Sequence, residues 1–357
     1  MKSKCLLRFA AAVLIPAGLA LGGCANRWAL SAEEYFAIGM AYFEIGQNRT
    51  ANRAHYFREA ERWLNRAQSQ DRTMAASTYN LGRLNFEMGR FDEAARLFEA
   101  ILLQDPYNVL ALRAAAYTRI RTGEIEKASE LYGRFLALVP ESADDGYNHA
   151  LVLFAMGRYD EAEGVLSRNQ FALMDNPDFL LLYARAQARQ DRPQAIDSFA
   201  TWLVQNAENA AAGRVRFEYA GLLEEWGLYA RALEEYRLTF DELTHTSVNP
   251  SRPEVRFAVA RVLLVADPGN PEGMSELRDA VLDGFADFGA IEALLDDDRI
   301  SAANIDDIRS IAEGGRRAAT DLLEADEAAD PFADFADEVE EMLGVVGGEA
   351  PYPPGAE

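Results

Sequence analysis

A period of 34 residues constrains this chain more than any other feature of its sequence. Gly89, Gly123 and Gly157 are 34 residues apart, and several other columns keep the same step. Those columns hold small, apolar or proline residues: Ala94, Ala128 and Ala162; Phe91, Ile125 and Tyr159; Phe98, Tyr132 and Leu166; Pro106 and Pro140. Independent columns in phase indicate a repeat architecture, in which each unit packs on its neighbours.

The residue types within one period predict two helices joined by a turn. Apolar residues recur at helical spacing on both sides of the glycine. Glycine is favoured where a helix ends and the chain reverses, and proline stops the helix that follows. The small residues allow the two helices to pack closely.

This pattern resembles the tetratricopeptide repeat (TPR), a helix–turn–helix unit of 34 residues. With the glycine at position 15, clear and weaker copies occupy residues 32–74, 75–108, 109–142, 143–176, 177–212, 213–246 and 254–287. The central copies lack the family's tryptophan at position 4. The resemblance implies an all-α fold, a right-handed α-solenoid of about seven helical hairpins whose first helices line a concave face.

Two copies depart from the pattern. In residues 32–74, nine additional residues are predicted to lengthen the turn between the helices. In residues 177–212, Asp191 stands where the other copies have glycine.

The segments after the repeats are predicted to differ from them. We expect residues 288–323 to form a helical cap, because a solenoid needs an end with one polar face. Gly314-Gly315 predicts a kink or two short helices there. Residues 324–357 are acidic and expected to be disordered.

The first 23 residues have the pattern of a secretory signal. Lys2, Lys4 and Arg8 precede an apolar run that is shorter than the ~20 residues a membrane-spanning helix needs. Leu21-Gly22-Gly23-Cys24 resembles the bacterial lipobox. That resemblance implies acylation of Cys24 and cleavage before it. The alternative is an ordinary signal peptide with an incidental cysteine.

Residues 24–31 would then be an acylated amino terminus and a short spacer. The seven residues from Ala25 to Ser31 extend about 25 Å at most, which places the repeats close to the lipid headgroups. Residue 25 is not aspartate, and under the enterobacterial sorting rule this implies an outer-membrane lipoprotein facing the periplasm.

Charge and residue usage exclude several functions. The chain has 58 acidic and 35 basic residues and a formal charge of −23, whereas nucleic-acid binding needs a basic face. His55, His149 and His245 fall in different repeats, and His149 is expected in the core. Nucleotide-binding, protease and hydrolase motifs are absent from the sequence. We therefore expect no enzyme, cofactor or metal site.

Candidate binding residues come from the resemblance, which implies ligand contacts at fixed positions of each first helix. These positions carry arginine, tyrosine and asparagine: Tyr79, Asn80, Arg83, Arg113, Tyr117, Arg121, Tyr147, Asn148, Arg185 and Arg189. Guanidinium groups suit carboxylates, so an acidic segment is the expected ligand, and residues 330–343 of this chain are one candidate. The open alternative is that these arginines pair with acidic residues of neighbouring repeats.

The favoured function is therefore a membrane-anchored scaffold that binds other envelope proteins or peptides. The face has no lysine, unlike the carboxylate clamp of chaperone-binding relatives. One alternative is an enzyme or subunit with a carbohydrate or small-molecule site in the groove. Another is self-assembly by end-to-end stacking.

Overall fold

A computed structural model describes residues 30–49, 51–243, 249–300 and 302–323. Every regular element within these ranges is a helix, and the described part of the chain is an all-α, TPR-like solenoid. The fold class predicted from the 34-residue period is confirmed. The signal segment 1–23, Cys24 and the acidic tail 324–357 lie outside the described residues.

The chain divides into two compact units, residues 1–97 and 98–357, and the division falls within one helix. The helices that begin in the first unit are α1 (Ala32–Asn48), α2 (Arg53–Gln70), α3 (Ala75–Glu87) and α4 (Phe91–Gln104). Phe43, Phe57 and Leu64 are buried in its core, where α1 and α2 pack together along their lengths.

The second unit has the same helix–turn–helix order. Its remaining helices are α5 (Val109–Arg121), α6 (Ile125–Leu138), α7 (Ala143–Ala155), α8 (Tyr159–Ser167), α9 (Gln170–Asp175), α10 (Pro177–Ala188), α11 (Gln194–Gln205), α12 (Ala212–Glu225), α13 (Tyr229–Glu242), α14 (Arg252–Ala266), α15 (Pro271–Leu282), α16 (Phe288–Ala293) and α17 (Ala302–Leu323). A 3₁₀ turn at Leu294–Asp296 follows α16.

The glycine column ends the first helix of each clear repeat, as predicted. Gly123 has a φ of 76° and Gly157 one of 72°, in the left-handed region that glycine adopts without strain. The Gly123 N–H donates to the carbonyl of Ile120 at 3.0 Å, and the Glu124 N–H donates to that of Arg119 at 2.9 Å. This pair of bonds is the Schellman motif, which satisfies carbonyls at the helix end. Asp191 has a φ of 53°, so it makes the same reversal without glycine.

Two repeats differ from the sequence expectation. In the first, the additional residues lengthen both helices, to 17 and 18 residues, and only residues 49–52 separate them. In residues 143–176, the second helix is split into α8 and α9. Asn169 begins α9 by accepting a hydrogen bond from the Ala172 N–H at 3.3 Å, since an asparagine side chain is a favourable helix cap.

The core of the second unit forms where small and aromatic side chains alternate. Ala184, Ala195 and Ala220 are fully buried beside Trp202 and Tyr219, so neighbouring helices approach closely around large rings.

His149 is buried, as predicted from its position in the first helix of its repeat. Its Nε2 lies 3.1 Å from the Ser129 hydroxyl, and its ring stacks on Tyr132. Burial, together with the charge of Arg158, lowers the pKa of His149 to about 4, so the ring is neutral near pH 7.

The cap contains one long helix where the sequence predicted a break. α17 runs 22 residues, through Gly314 and Gly315. A Cβ at Gly315 would lie 2.6 Å from the Phe288 ring and 2.7 Å from the Val281 side chain, whereas nothing lies within 4 Å at Gly314. Gly315 therefore allows α17 to pack closely against α15 and α16. The glycine pair does not interrupt the helix.

These neighbouring glycines should respond oppositely to alanine. Gly315→Ala should lower the free energy of unfolding by about 1–3 kcal/mol, because the methyl group overpacks a filled contact. Gly314→Ala should raise it by up to about 1 kcal/mol, because alanine favours an open helical position. Urea unfolding followed by circular dichroism measures both, and equal effects would contradict the packing role of Gly315.

Candidate protein-binding face

The residues predicted to bind a ligand in the second unit lie on α5, α7 and α10 and, for Arg189, directly after α10. Contacts between these helices and α12 link the side chains from one repeat to the next. We call the surface formed by α5, α7, α10 and α12 the first-helix face.

An ion pair joins α5 to α7 on this face. Arg113 Nε donates to Asp145 Oδ1 at 2.9 Å, and the Ser142 hydroxyl donates to Asp145 Oδ2 at 2.7 Å. The side chain of Asp145 is 2% exposed and that of Arg113 is 25% exposed. Because a carboxylate this deeply buried needs a charged partner, Arg113 is committed to Asp145.

Two further pairs link later first helices. Arg185 of α10 binds Glu218 of α12 through both arms, with Nε–Oε1 at 2.9 Å and Nη2–Oε2 at 2.7 Å. Glu224 of α12 binds Arg261 of α14 at 2.6 and 2.7 Å. Such bidentate pairs fix geometry as well as charge. Arg113 and Arg185 therefore pair with acidic residues of neighbouring repeats, which is the alternative that the sequence left open.

The Glu224 pair also holds a buried tyrosine. The Tyr236 hydroxyl donates to Glu224 Oε2 at 2.9 Å. Burial, with the nearby charge of Glu224, raises the pKa of Tyr236 well above its usual range. Tyr236 is therefore a neutral hydrogen-bond donor that helps to orient the carboxylate.

Apolar and aromatic groups make up much of the rest of the first-helix face. Tyr147 lies with its ring centroid 4.9 Å from that of Phe179, and burial raises its pKa to about 12. Leu151 and Phe154 follow it along α7 and are partly buried. Tyr117 and Asn148 are buried. These side chains offer apolar contact area and a few polar atoms.

Arg121 and Arg189 are the predicted arginines that are exposed in this unit. Arg121 is the last residue of α5, and Arg189 is the C-cap of α10. Their positions at helix ends leave their guanidinium groups at the border of the first-helix face.

The candidates on α3 belong to the first unit. Asn80 donates to the carbonyl of Ala76 at 2.9 Å, and Arg83 donates to Asn80 Oδ1 at 3.1 Å. The Arg83 guanidinium also lies 5.2 Å from the centre of the Phe43 ring. Asn80 and Arg83 are thus engaged within their own unit.

The sequence prediction identified the arginines but missed their acidic partners. Asp145 and Glu218 follow Arg113 and Arg185 by 32 and 33 residues, about one repeat. Complementary charge one period apart is a signal that the sequence contains. This signal distinguishes a ligand-binding arginine from one in a structural ion pair only when the burial of the carboxylate is known.

Two observations concern metal binding and membrane spanning. Among the described residues, no group of three His, Cys, Asp or Glu side chains is arranged to hold a metal ion. None of the described helices combines the length and apolar character needed to cross a bilayer.

Comparison with known families agrees with this geometry. Three tetratricopeptide-repeat family models match the chain. They cover residues 36–109, 85–148 and 146–168. The resemblance drawn from the glycine, alanine and proline columns is thereby confirmed for this part of the chain. Proteins with these repeats bind peptides or other proteins and are typically non-catalytic.

A curated relative matches the chain over a length similar to that covered by the three family models. The chain is 28% identical to the CTR9 homolog of Arabidopsis thaliana over 135 residues, which is 37% of this chain and 12% of that protein. The match thus spans about an eighth of the relative's length.

Solved structures that are similar to the chain are more distant in sequence. A TPR protein from Parabacteroides merdae is 18% identical, with 73% of this chain and 98% of that chain covered and a TM-score of 0.45. YrrB, described as a TPR protein with an unusual peptide-binding site, is 16% identical over 56% of this chain and 98% of its own, with a TM-score of 0.45. MamA is 19% identical over 48% and 94%, with a TM-score of 0.42.

Charge reversal should separate the structural arginine from an exposed one. Arg113→Glu places a second carboxylate against buried Asp145 and should lower the free energy of unfolding by about 3 kcal/mol. Arg189→Glu, at an exposed helix end, should change it by less than about 1 kcal/mol. Urea unfolding of both variants measures the difference. Equal stability of the two would show that Arg113 is not needed to compensate Asp145.

Proposed function

We propose that this protein is a lipid-anchored scaffold of the bacterial cell envelope that binds a protein segment on the first-helix face. The observation that carries the binding proposal is the partly buried surface of Tyr147, Leu151 and Phe154 on α7. Aromatic and aliphatic side chains of this kind supply rigid contact area, which dominates the affinity of protein interfaces.

The paired arginines change the expected ligand. Arg113 and Arg185 already have carboxylate partners, so an acidic ligand would have to displace them. Exposed Arg189, at the end of α10, is better placed to meet an acidic side chain of a bound segment. We therefore propose a segment with apolar residues at its centre and acidic residues at its border. Residues 330–343 of this chain contain both apolar and acidic residues, interleaved along the segment, and are one candidate.

A photo-crosslinking amino acid in place of Leu151 should form a covalent adduct with the partner in native membranes. The same group in place of Glu234, which is exposed on the second helix α13, is the matched control. Arg189→Glu should reduce the Leu151 adduct severalfold, because the change repels an acidic border. Identical adducts from both positions, identified by mass spectrometry, would refute binding on the first-helix face.

The lipid anchor rests on the sequence around Cys24 and is tested separately. Cys24→Ser removes the only thiol at the lipobox position, so no acyl chain can be attached there. We expect this variant to lose incorporation of radiolabelled palmitate and to leave the membrane fraction, because stable anchoring takes two or more chains. Cys5→Ser is the control and should change neither property. Continued labelling of the Cys24→Ser variant would exclude this anchor.

A further inference from the structure

Exposed apolar side chains recur near the end of the second helix in several repeats. The residue nine positions after the buried small residue of the second helix is large, apolar and exposed in four repeats. These pairs are Ala94 and Leu103, Ala162 and Phe171, Ala195 and Val204, and Gly273 and Leu282. The exposed fractions are 87%, 82%, 82% and 81%. Single exposed apolar residues are ordinary, but recurrence at one position of a repeat is not explained by packing.

Two consecutive repeats concentrate this feature. Phe171 and Met174 lie on α9, with Met174 72% exposed, and Val204 lies on α11. α10 packs against both helices, so the three side chains lie on two helices that flank α10. We call Phe171, Met174 and Val204 the edge patch. Leu138 in the repeat before it is also exposed and extends the apolar surface.

The charges beside the edge patch are mostly negative. The residues 168–178 contain Arg168, Asp175 and Asp178, and the residues 204–211 contain only Glu208. Asp175 and Glu208 are exposed, and neither forms an ion pair with an arginine or lysine of the described chain. On the first-helix face, by contrast, Asp145 and Glu218 are both paired with arginine. The edge patch thus combines apolar side chains with uncompensated carboxylates.

We propose that the edge patch docks a basic amphipathic helix of a partner protein. Apolar side chains on one face of that helix would cover Phe171, Met174 and Val204, and its lysine or arginine residues would meet Asp175 and Glu208. Two helix-packing distances separate α9 from α11, which is about 20 Å. A helix rises 1.5 Å per residue, so about 14 residues span the patch.

Charge argues against the other occupants. The acidic tail 330–343 and an anionic lipid surface would both be repelled by these carboxylates. A second copy of the chain would bring together two molecules that each carry a formal charge of −23. This surface is distinct from the first-helix face, so the proposal stands or falls independently of the function proposed above.

The test uses a fluorescein-labelled, 14-residue peptide of leucine and lysine with helical spacing, and fluorescence anisotropy. The protein is the full chain carrying Cys24→Ser, so that no acyl chain contributes. A peptide of the same composition in scrambled order, and a leucine–glutamate peptide, should each bind at least tenfold more weakly. The triple variant Phe171→Ser, Met174→Ser, Val204→Ser should weaken binding of the lysine peptide at least tenfold, and added salt should weaken it further.

Leu282→Ser is the matched control. Leu282 has the same repeat position and exposure, but Asp279 and Asp283 beside it are paired with Arg256. This variant should bind the peptide like the parent chain. Circular dichroism is used to check that each variant is folded. We expect this because all the substituted side chains are exposed.

Four results would overturn the proposal. Unchanged affinity of the triple variant, or equal affinity for the scrambled peptide, would show that the binding is non-specific charge attraction. Sedimentation of the chain with phosphatidylcholine vesicles that is lost in the triple variant would assign the patch to lipid. A dimer in size-exclusion chromatography that the triple variant abolishes would assign it to a second copy.

Discussion

The close contact between the two helices of a hairpin, made through a small buried side chain, is the interaction on which the rest of this structure depends. Ala128, Ala162 and Ala232 are fully buried in the second helices, and Ala150 and Ala220 in the first. A larger side chain at these positions would separate the helices and change how the next hairpin packs. Because each repeat contacts only its neighbours, such a change would be transmitted along the array.

This construction leaves two kinds of surface with different electrostatics. Between successive first helices, an arginine of one repeat lies within reach of a carboxylate of an adjacent repeat, and the resulting pairs fix these helices to each other. Beside the edge patch, Asp175 and Glu208 are exposed, and neither forms an ion pair within the described residues. An acidic chain can therefore present an electrically compensated surface and an uncompensated one within the same unit.

The candidate binding residues show where prediction from sequence fails. Arg113 and Arg121 occupy the same first helix and look equivalent in the repeat pattern. Arg113 forms an ion pair with buried Asp145 and is structural, whereas Arg121 is exposed. Similarly, Gly314 and Gly315 predict a break, yet the helix continues because Phe288 and Val281 occupy the space that a Cβ at Gly315 would need. In both cases the deciding atoms belong to residues far away in sequence.

The sequence by itself determined the repeat length, the helix–turn–helix order and the reversals at glycine, because these depend on local backbone preferences and on short-range apolar spacing. It also located the buried columns and His149, since a side chain facing the next helix has the same position in every repeat. Tertiary structure alone decided which arginines are neutralised, why Gly315 is small and which apolar residues stay in water. Those properties depend on how closely neighbouring helices approach, and that distance is set by packing across repeats.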